Sequence, residues 1–241
     1  MTNVPGDKSL LTVYNKNKLL LLDNKTNSVL SEIVLKDKPL FICMLDSQQA
    51  ATSLVNKKIQ FIKVKDNTLK VETSLNVNFN VMGIADFLQN FVVSYSFPGV
   101  RIISKDGIMI HKLENTTAGR EVFKNPRYIV TTSDDSIYVT DWGTHEIIKL
   151  DSSLTILQTF SGHMLKGPHG IIALNRDQLL VCNKYNHTIL MIRPSTNNVT
   201  VLLDKQHGLQ KPASICYCKE QKKLYVAPGG ETTSVLVYRL M

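Results

Sequence analysis

Apolar residues along the chain come in short runs split by polar turns. The stretch "GPHGIIALNRDQLLVCNKYNHTILMI", residues 167–192, reads as a lead-in loop, a short strand, a turn, a strand, a turn and a strand. With the following "VTVLLD" it predicts four strands, near residues 170–174, 179–183, 188–192 and 199–203. Runs rich in Val, Ile, Leu and Thr, bounded by Asn, Asp, Lys and Ser, are the signature of strands and tight turns.

The pattern recurs. "NPRYIVTTSDDSIYVTDWGTHEIIKL" begins at Asn125 and "KPASICYCKEQKKLYVAPGGETTSVLVYRL" at Lys211, with weaker copies beginning at Lys38 and Val81. One isoleucine marks the start of each copy: Ile42, Ile84, Ile129, Ile171 and Ile215, at intervals of 42, 45, 42 and 44 residues. Four short strands per period of roughly 40–45 residues are a propeller blade, a small sheet that buries its faces only against neighbouring blades. The segment "LLTVYNKNKLLLLDNKTNSVLSEIVL" matches strands two to four of a blade. The reading is therefore all-β, a single six-bladed β-propeller of four-stranded antiparallel blades. Its blades span approximately 9–36, 37–78, 79–115, 124–162, 166–205 and 210–241. The first blade is expected to lack its innermost strand and the last its outermost, unless residues 2–8 supply the latter; pairing the termini would remove exposed edges.

Composition narrows the setting. The N-terminal "MTNVPGDKSL" has neither the basic start nor the apolar run of a signal peptide, and "KLLLLD" is too short to span a bilayer. Cys43, Cys182, Cys216 and Cys218 have no framework spacing. Buried free thiols in a reducing, cytoplasmic compartment are expected, and the isolated domain is expected to be monomeric. The net charge of +8 permits an anionic partner without requiring one.

The lead-in pattern Pro-x-Gly-Ile, a polar turn, an apolar strand ending in Asp or Asn, and a turn with Asn or His resembles the NHL repeat. "GPHGIIALNRDQLLVCNKYNHTILMI" fits at nearly every position, and "NPRYIVTTSDDSIYVTDWGTHEIIKL" fits with Tyr128 in place of the glycine. "YVTDWGTHEI" also resembles the YWTD propeller of lipoprotein receptors, but occurs once. The NHL resemblance implies a recognition module of the type at the C-terminus of tripartite-motif (TRIM) proteins, where it binds RNA or substrate beside a RING, B-boxes and a coiled coil. No zinc spacing and no long heptad run accompany it here.

Antiparallel connectivity places the loops leading into first strands and those joining strands two and three on one face of the disc, which we term the top face. By sequence, this face carries about twice as many Lys and Arg as Asp and Glu. Arg120 is among its cations, and Asp141, Glu146 and Glu231 interrupt it. Cations beside aromatic rings suit single-stranded RNA, with phosphates paired and splayed bases stacked. The candidate binding residues are Arg127, His169, Lys184, Tyr185, His187, Trp142, Lys57, Lys58, Lys16 and Arg101, with Tyr95 and Phe97 as further stackers. Arg127 and His169 hold the same position in adjacent blades and should point at the channel mouth. The alternatives are a solvated loop surface for the lysines, packing between blades for Trp142 and Tyr185, and turn capping for Asp141 and Asn183. The same face could instead dock a protein, such as a client for ubiquitination.

Several six-bladed propellers are enzymes that hold a metal on the channel axis with Glu, Asn, Asp or His from several blades. The corresponding positions here read Leu40, Met82, Arg127, His169 and Ala213, which cannot form a calcium or zinc shell. No nucleophile elbow and no phosphate loop appear. The sequence therefore predicts a binding module without catalysis, metal or cofactor.

Overall fold

The computed structural model describes residues 1–96, 98–114, 119, 121–229 and 234–240. They form six antiparallel sheets. Blade 1 contains β1 (Thr2–Val4), β2 (Lys8–Val13), β3 (Lys18–Asp23) and β4 (Val29–Val34). Blade 2 contains β5 (Pro39–Met44), β6 (Gln49–Leu54), β7 (Lys58–Lys65) and β8 (Thr68–Asn76). Blade 3 contains β9 (Val81–Phe87), β10 (Asn90–Tyr95), β11 (Gly99–Ile103) and β12 (Met109–Leu113). Blade 4 contains β13 (Pro126–Thr131), β14 (Ile137–Asp141), β15 (Glu146–Leu150) and β16 (Ile156–Phe160). Blade 5 contains β17 (Pro168–Asn175), β18 (Gln178–Asn183), β19 (Thr188–Arg193) and β20 (Asn198–Leu203). Blade 6 has three strands, β21 (Pro212–Cys218), β22 (Lys223–Pro228) and β23 (Leu236–Arg239).

The first blade departs from the sequence reading. It is four-stranded, and residues 2–4 supply its own first strand rather than an outer strand for blade 6. That strand is only three residues long and pairs with Lys8, Ser9 and Leu10 of β2. Beyond it, Leu11 and Thr12 of β2 face the axis directly.

The first strands of the blades surround an axial cavity of about 140 Å³. Ile42, Ile84, Ile129, Ile171 and Ile215, the residues that mark the repeat, all line it. They are also nearly buried members of the apolar clusters between blades. An isoleucine there meets both the axis and a neighbouring sheet, which explains the steady period.

Five of the six wedges between blades are apolar. The sixth, where blade 6 meets blade 1, has among the described residues a buried core of only Cys216, Cys218 and Tyr225. Polar contacts close it: the Cys216 thiol to Asn3 Oδ1 at 2.7 Å, Tyr225 Oη to the Asn24 carbonyl at 3.1 Å, and Lys223 Nζ to the same carbonyl at 2.6 Å. The ring thus closes through side chains instead of a shared sheet.

A register shift separates the lead-in proline from the ladder in four first strands: between Pro39 and Ile42, Pro126 and Ile129, Pro168 and Ile171, and Pro212 and Ser214. Such bulges turn the intervening side chains away from the sheet. In blades 4 and 5 those include Arg127 and His169. No helix among the described residues is long and apolar enough to cross a membrane.

Candidate functional site

The top face of blades 4 and 5 is held by one device used twice. Asp141 ends β14, is fully buried, and accepts four backbone N–H groups. Lys124 and Asn125 donate at 2.6 and 2.9 Å, Gly143 and Thr144 at 2.8 and 3.2 Å. Two of these donors lie in the loop leading into β13 and two in the β14–β15 turn, so one carboxylate ties both loops together. Asn183 ends β18 and does the same work without charge. Its Oδ1 accepts from Lys166 N at 2.6 Å, and its Nδ2 donates to the Met164 carbonyl at 2.8 Å.

A second tie crosses between blades. His145 Nδ1 accepts the Gly167 N–H, and His187 Nδ1 accepts the Lys211 N–H, each at 3.1 Å. An imidazole nitrogen that accepts carries no proton, so in the neutral ring the proton sits on Nε2. Burial, then Lys205 and Lys211, hold His187 below the ordinary histidine range, consistent with that neutral role. His187 is thus a loop tie as well as a surface residue.

On this frame five of the sequence-derived candidates come together. The Arg127 guanidinium lies 5.7 Å from the Trp142 ring centroid. Trp142 lies 6.2 Å from His169 and 6.0 Å from Tyr185, ring to ring. Lys184 stretches over blade 6, where a β-carbon on Gly229 would lie 3.0 Å from its Cε. Gly167 lets the rings close up. It has φ +67°, and a β-carbon there would lie 2.7 Å from Tyr185 and 3.2 Å from Trp142.

The electrostatics of the cluster are one-sided. His169 is pushed down to about 3 by burial first, then by Lys184 and Arg127, so it is neutral at physiological pH. The Lys184 ammonium is held below its usual range by burial, then by Arg127 and Lys211. Among the described residues, none of Arg127, Lys184 and Lys211 has an ion-pair partner. Lys211 is the member that sequence reasoning passed over as a site residue. Its signal is its place directly before the lead-in proline of blade 6, equivalent to Gly167 in blade 5.

Lys16, Lys57 and Lys58 stand apart from the cluster. Lys16, at the end of the β2–β3 turn, and Lys57, in the β6–β7 turn, are exposed on the same face as the cluster. Lys58 opens β7 beside Lys57 and is half-buried. Trp142 is half-buried, with an indole Nε1 that is sealed and has no partner among the described residues, and it packs against His169 and Tyr185 of blade 5. Tyr185 is 48% exposed and offers a ring to solvent.

Arg101 differs from expectation. A candidate for the loops of the top face, it is instead the third residue of β11, opposite Val93. Its guanidinium stacks on Phe79 and Tyr95, at 4.6 and 4.3 Å from the centroids, and pairs with Glu114 at 3.3 Å. Tyr95 is 1% exposed and donates its hydroxyl to Glu114. Both are packing residues. Phe97, Arg120 and Glu231 lie outside the described residues. Asp141 presents no carboxylate at the surface, since it is buried under four N–H groups.

On the opposite face, Asp7, Cys218 and Glu220 have potential ligand atoms within 4.8 Å of one another, at the seam of blades 1 and 6.

No family model matches the sequence, and no curated protein matches it. Solved structures do match. The Cps50 (Swd1) β-propeller domain of Myceliophteria thermophila is 10% identical with a TM-score of 0.71, covering 100% of this chain and 82% of that one. Streptogramin B lyase is 16% identical with a TM-score of 0.69, over 100% and 82% of the two chains. Virginiamycin B lyase from Staphylococcus aureus is 18% identical with a TM-score of 0.66, over 99% and 83%. These two correct the expectation of a module without catalysis. Propellers of this same build include lyases, so the architecture gives no ground for excluding an enzyme. At such identities the likeness shows the fold alone, a β-propeller, and the six sheets of this chain set its number of blades.

Proposed function

We propose that this propeller is a recognition module of the NHL type that binds single-stranded RNA on its top face. One observation carries the reading: Arg127, Lys184 and Lys211 gather beside the exposed Tyr185 ring, with no acid partner among the described residues. Unpaired cations supply phosphate contacts, and an exposed ring accepts a base irrespective of sequence. Lys16, Lys57 and Lys58 extend the cationic surface towards blades 1 and 2, along which the strand continues.

The test is filter binding of pooled short RNAs at two salt concentrations. Three phosphate contacts on a single strand give a salt slope of about −2, so fourfold more salt weakens binding about 15-fold. The combined change Lys58→Ala, Arg127→Ala and Lys184→Ala should lower both the affinity and the slope. Binding that ignores salt, or its absence at low salt, refutes the reading. Capture of a defined protein that survives nuclease treatment would favour protein docking on this face instead.

A further inference from the structure

We infer that the channel mouth at blades 4 to 6 holds the terminal phosphate of a bound strand, a phosphomonoester, between Arg127 and Lys184 with Lys211 at its edge. This rests on the RNA reading above and specifies how the strand is placed. Three features point to a strand end.

First, the axis is narrow beneath the mouth. The cavity there is about 140 Å³, lined by the five repeat isoleucines together with Thr12, Tyr128 and Ser214, and smaller than the range of small-ligand pockets. A strand cannot thread it, so a backbone that reaches the mouth either stops there or turns back.

Second, the charge matches a terminal group better than an internal one. An internal phosphodiester brings one negative charge, whereas a phosphomonoester brings about −1.5 to −2 and three acceptor oxygens. The mouth offers two half-buried cations and a third beside them, none of them ion-paired to an acid among the described residues. The Arg127 Nε is sealed and unpartnered, and its side chain makes no hydrogen bond with a described residue, so its terminal nitrogens remain for a ligand. Arginine suits the planar, two-point grip that phosphate oxygens allow.

Third, the mouth is preformed. The Asp141 and Asn183 ties fix the loops on either side of Arg127 and Lys184, and Gly229 leaves space for the Lys184 chain. Neutral His169 lies among them, so it adds polarity without further repulsion.

The experiment compares one eight-nucleotide RNA in three forms, with a 5′-phosphate, with a 3′-phosphate, and with hydroxyls at both ends, by fluorescence anisotropy at fixed salt. One phosphorylated form should bind about tenfold tighter than the hydroxyl form, as charge-assisted contacts to one added group imply. Inorganic phosphate should remove that advantage by competition. Arg127→Met with Lys184→Met should abolish it. A control that removes one arginine and one lysine from the opposite face, Arg176→Met with Lys219→Met, should keep it. Equal affinity for all three forms, or an advantage that survives R127M/K184M, overturns the terminal site and leaves RNA binding standing. Failure of every form to bind overturns the RNA reading and this inference with it. Should R127M/K184M fold poorly, the three-way comparison on the unaltered protein still decides.

Discussion

Replacing Asp141 tests the frame of the site. Its carboxylate is fully buried and accepts four backbone N–H groups, three on Oδ1 and one on Oδ2. Asp141→Ala leaves those four donors without partners. At about 1 kcal/mol for each net hydrogen bond, the loss is about 4 kcal/mol. For a domain of this size, about 2–4 °C of Tm accompanies each kcal/mol, so Tm should fall by about 8–16 °C. Asp141→Asn keeps Oδ1 and its three donors but sets an NH2 group against the Lys124 N–H. It should cost about 1–2 kcal/mol. Asn183→Ala, which loses three contacts in blade 5 instead of four, should fall between the two. Thermal unfolding followed by circular dichroism, with urea unfolding for the free energy, measures all three. The loop leading to Arg127 and the turn carrying Trp142 both hang on Asp141, so RNA affinity at low salt should fall more in D141A than in D141N. A D141A Tm within about 3 °C of the parent, or D141N worse than D141A, would refute the argument that one carboxylate clasps both loops.

Two further outcomes follow from burial. His169 is held near 3 by burial, Lys184 and Arg127, against about 6.5 in an unfolded chain. As pH falls below about 6.5 the unfolded chain takes up this proton and the folded one does not, so stability is full above that pH and declines towards 3. His169→Gln should therefore lose less Tm than the parent between pH 7.5 and 4.5, and identical losses would contradict the assignment. The thiols are also shielded: burial pushes Cys216 up to about 11 and Cys43 up to about 12, and raises Cys182 and Cys218. At pH 8 Ellman's reagent should react slowly with the folded protein and rapidly with all four cysteines once it unfolds; a thiol that reacts within seconds in the native state would argue against this packing.

The sequence announces the blades at residues that serve two neighbours at once. Ile129 and Ile171 face the axial cavity while packing into wedges between sheets, so little else fits and the spacing survives. Where that double duty lapses, the sequence goes quiet. Thr2–Val4 is a polar three-residue strand without an isoleucine, because Leu11 and Thr12 of the next strand line the cavity in its place. Arg101 misleads for another reason. "SFPGVRIIS" has the Pro-Gly of a loop, yet Gly99 already begins the strand, paired with Tyr95 so closely that a β-carbon there would strike the Tyr95 hydroxyl. The partner that draws Arg101 inward, Phe79, comes from a segment whose approach only the folded blade reveals.

The site is legible where the repeat is strongest, and the ties explain why. Blades 4 and 5 carry the full motif because its polar residues are the clasps: Asp141 and Asn183 join loops within a blade, and His145 and His187 reach to the next. A motif that fixes loops also fixes the side chains between them, which is how Arg127 and His169, inside matching bulges, come to the same Trp142 ring. Lys184 and Lys211 escape the motif, since their nearness depends on blade 5 lying against blade 6 and not on either blade's own pattern. The frame of the mouth is therefore written locally, while the concentration of charge upon it is a product of the ring.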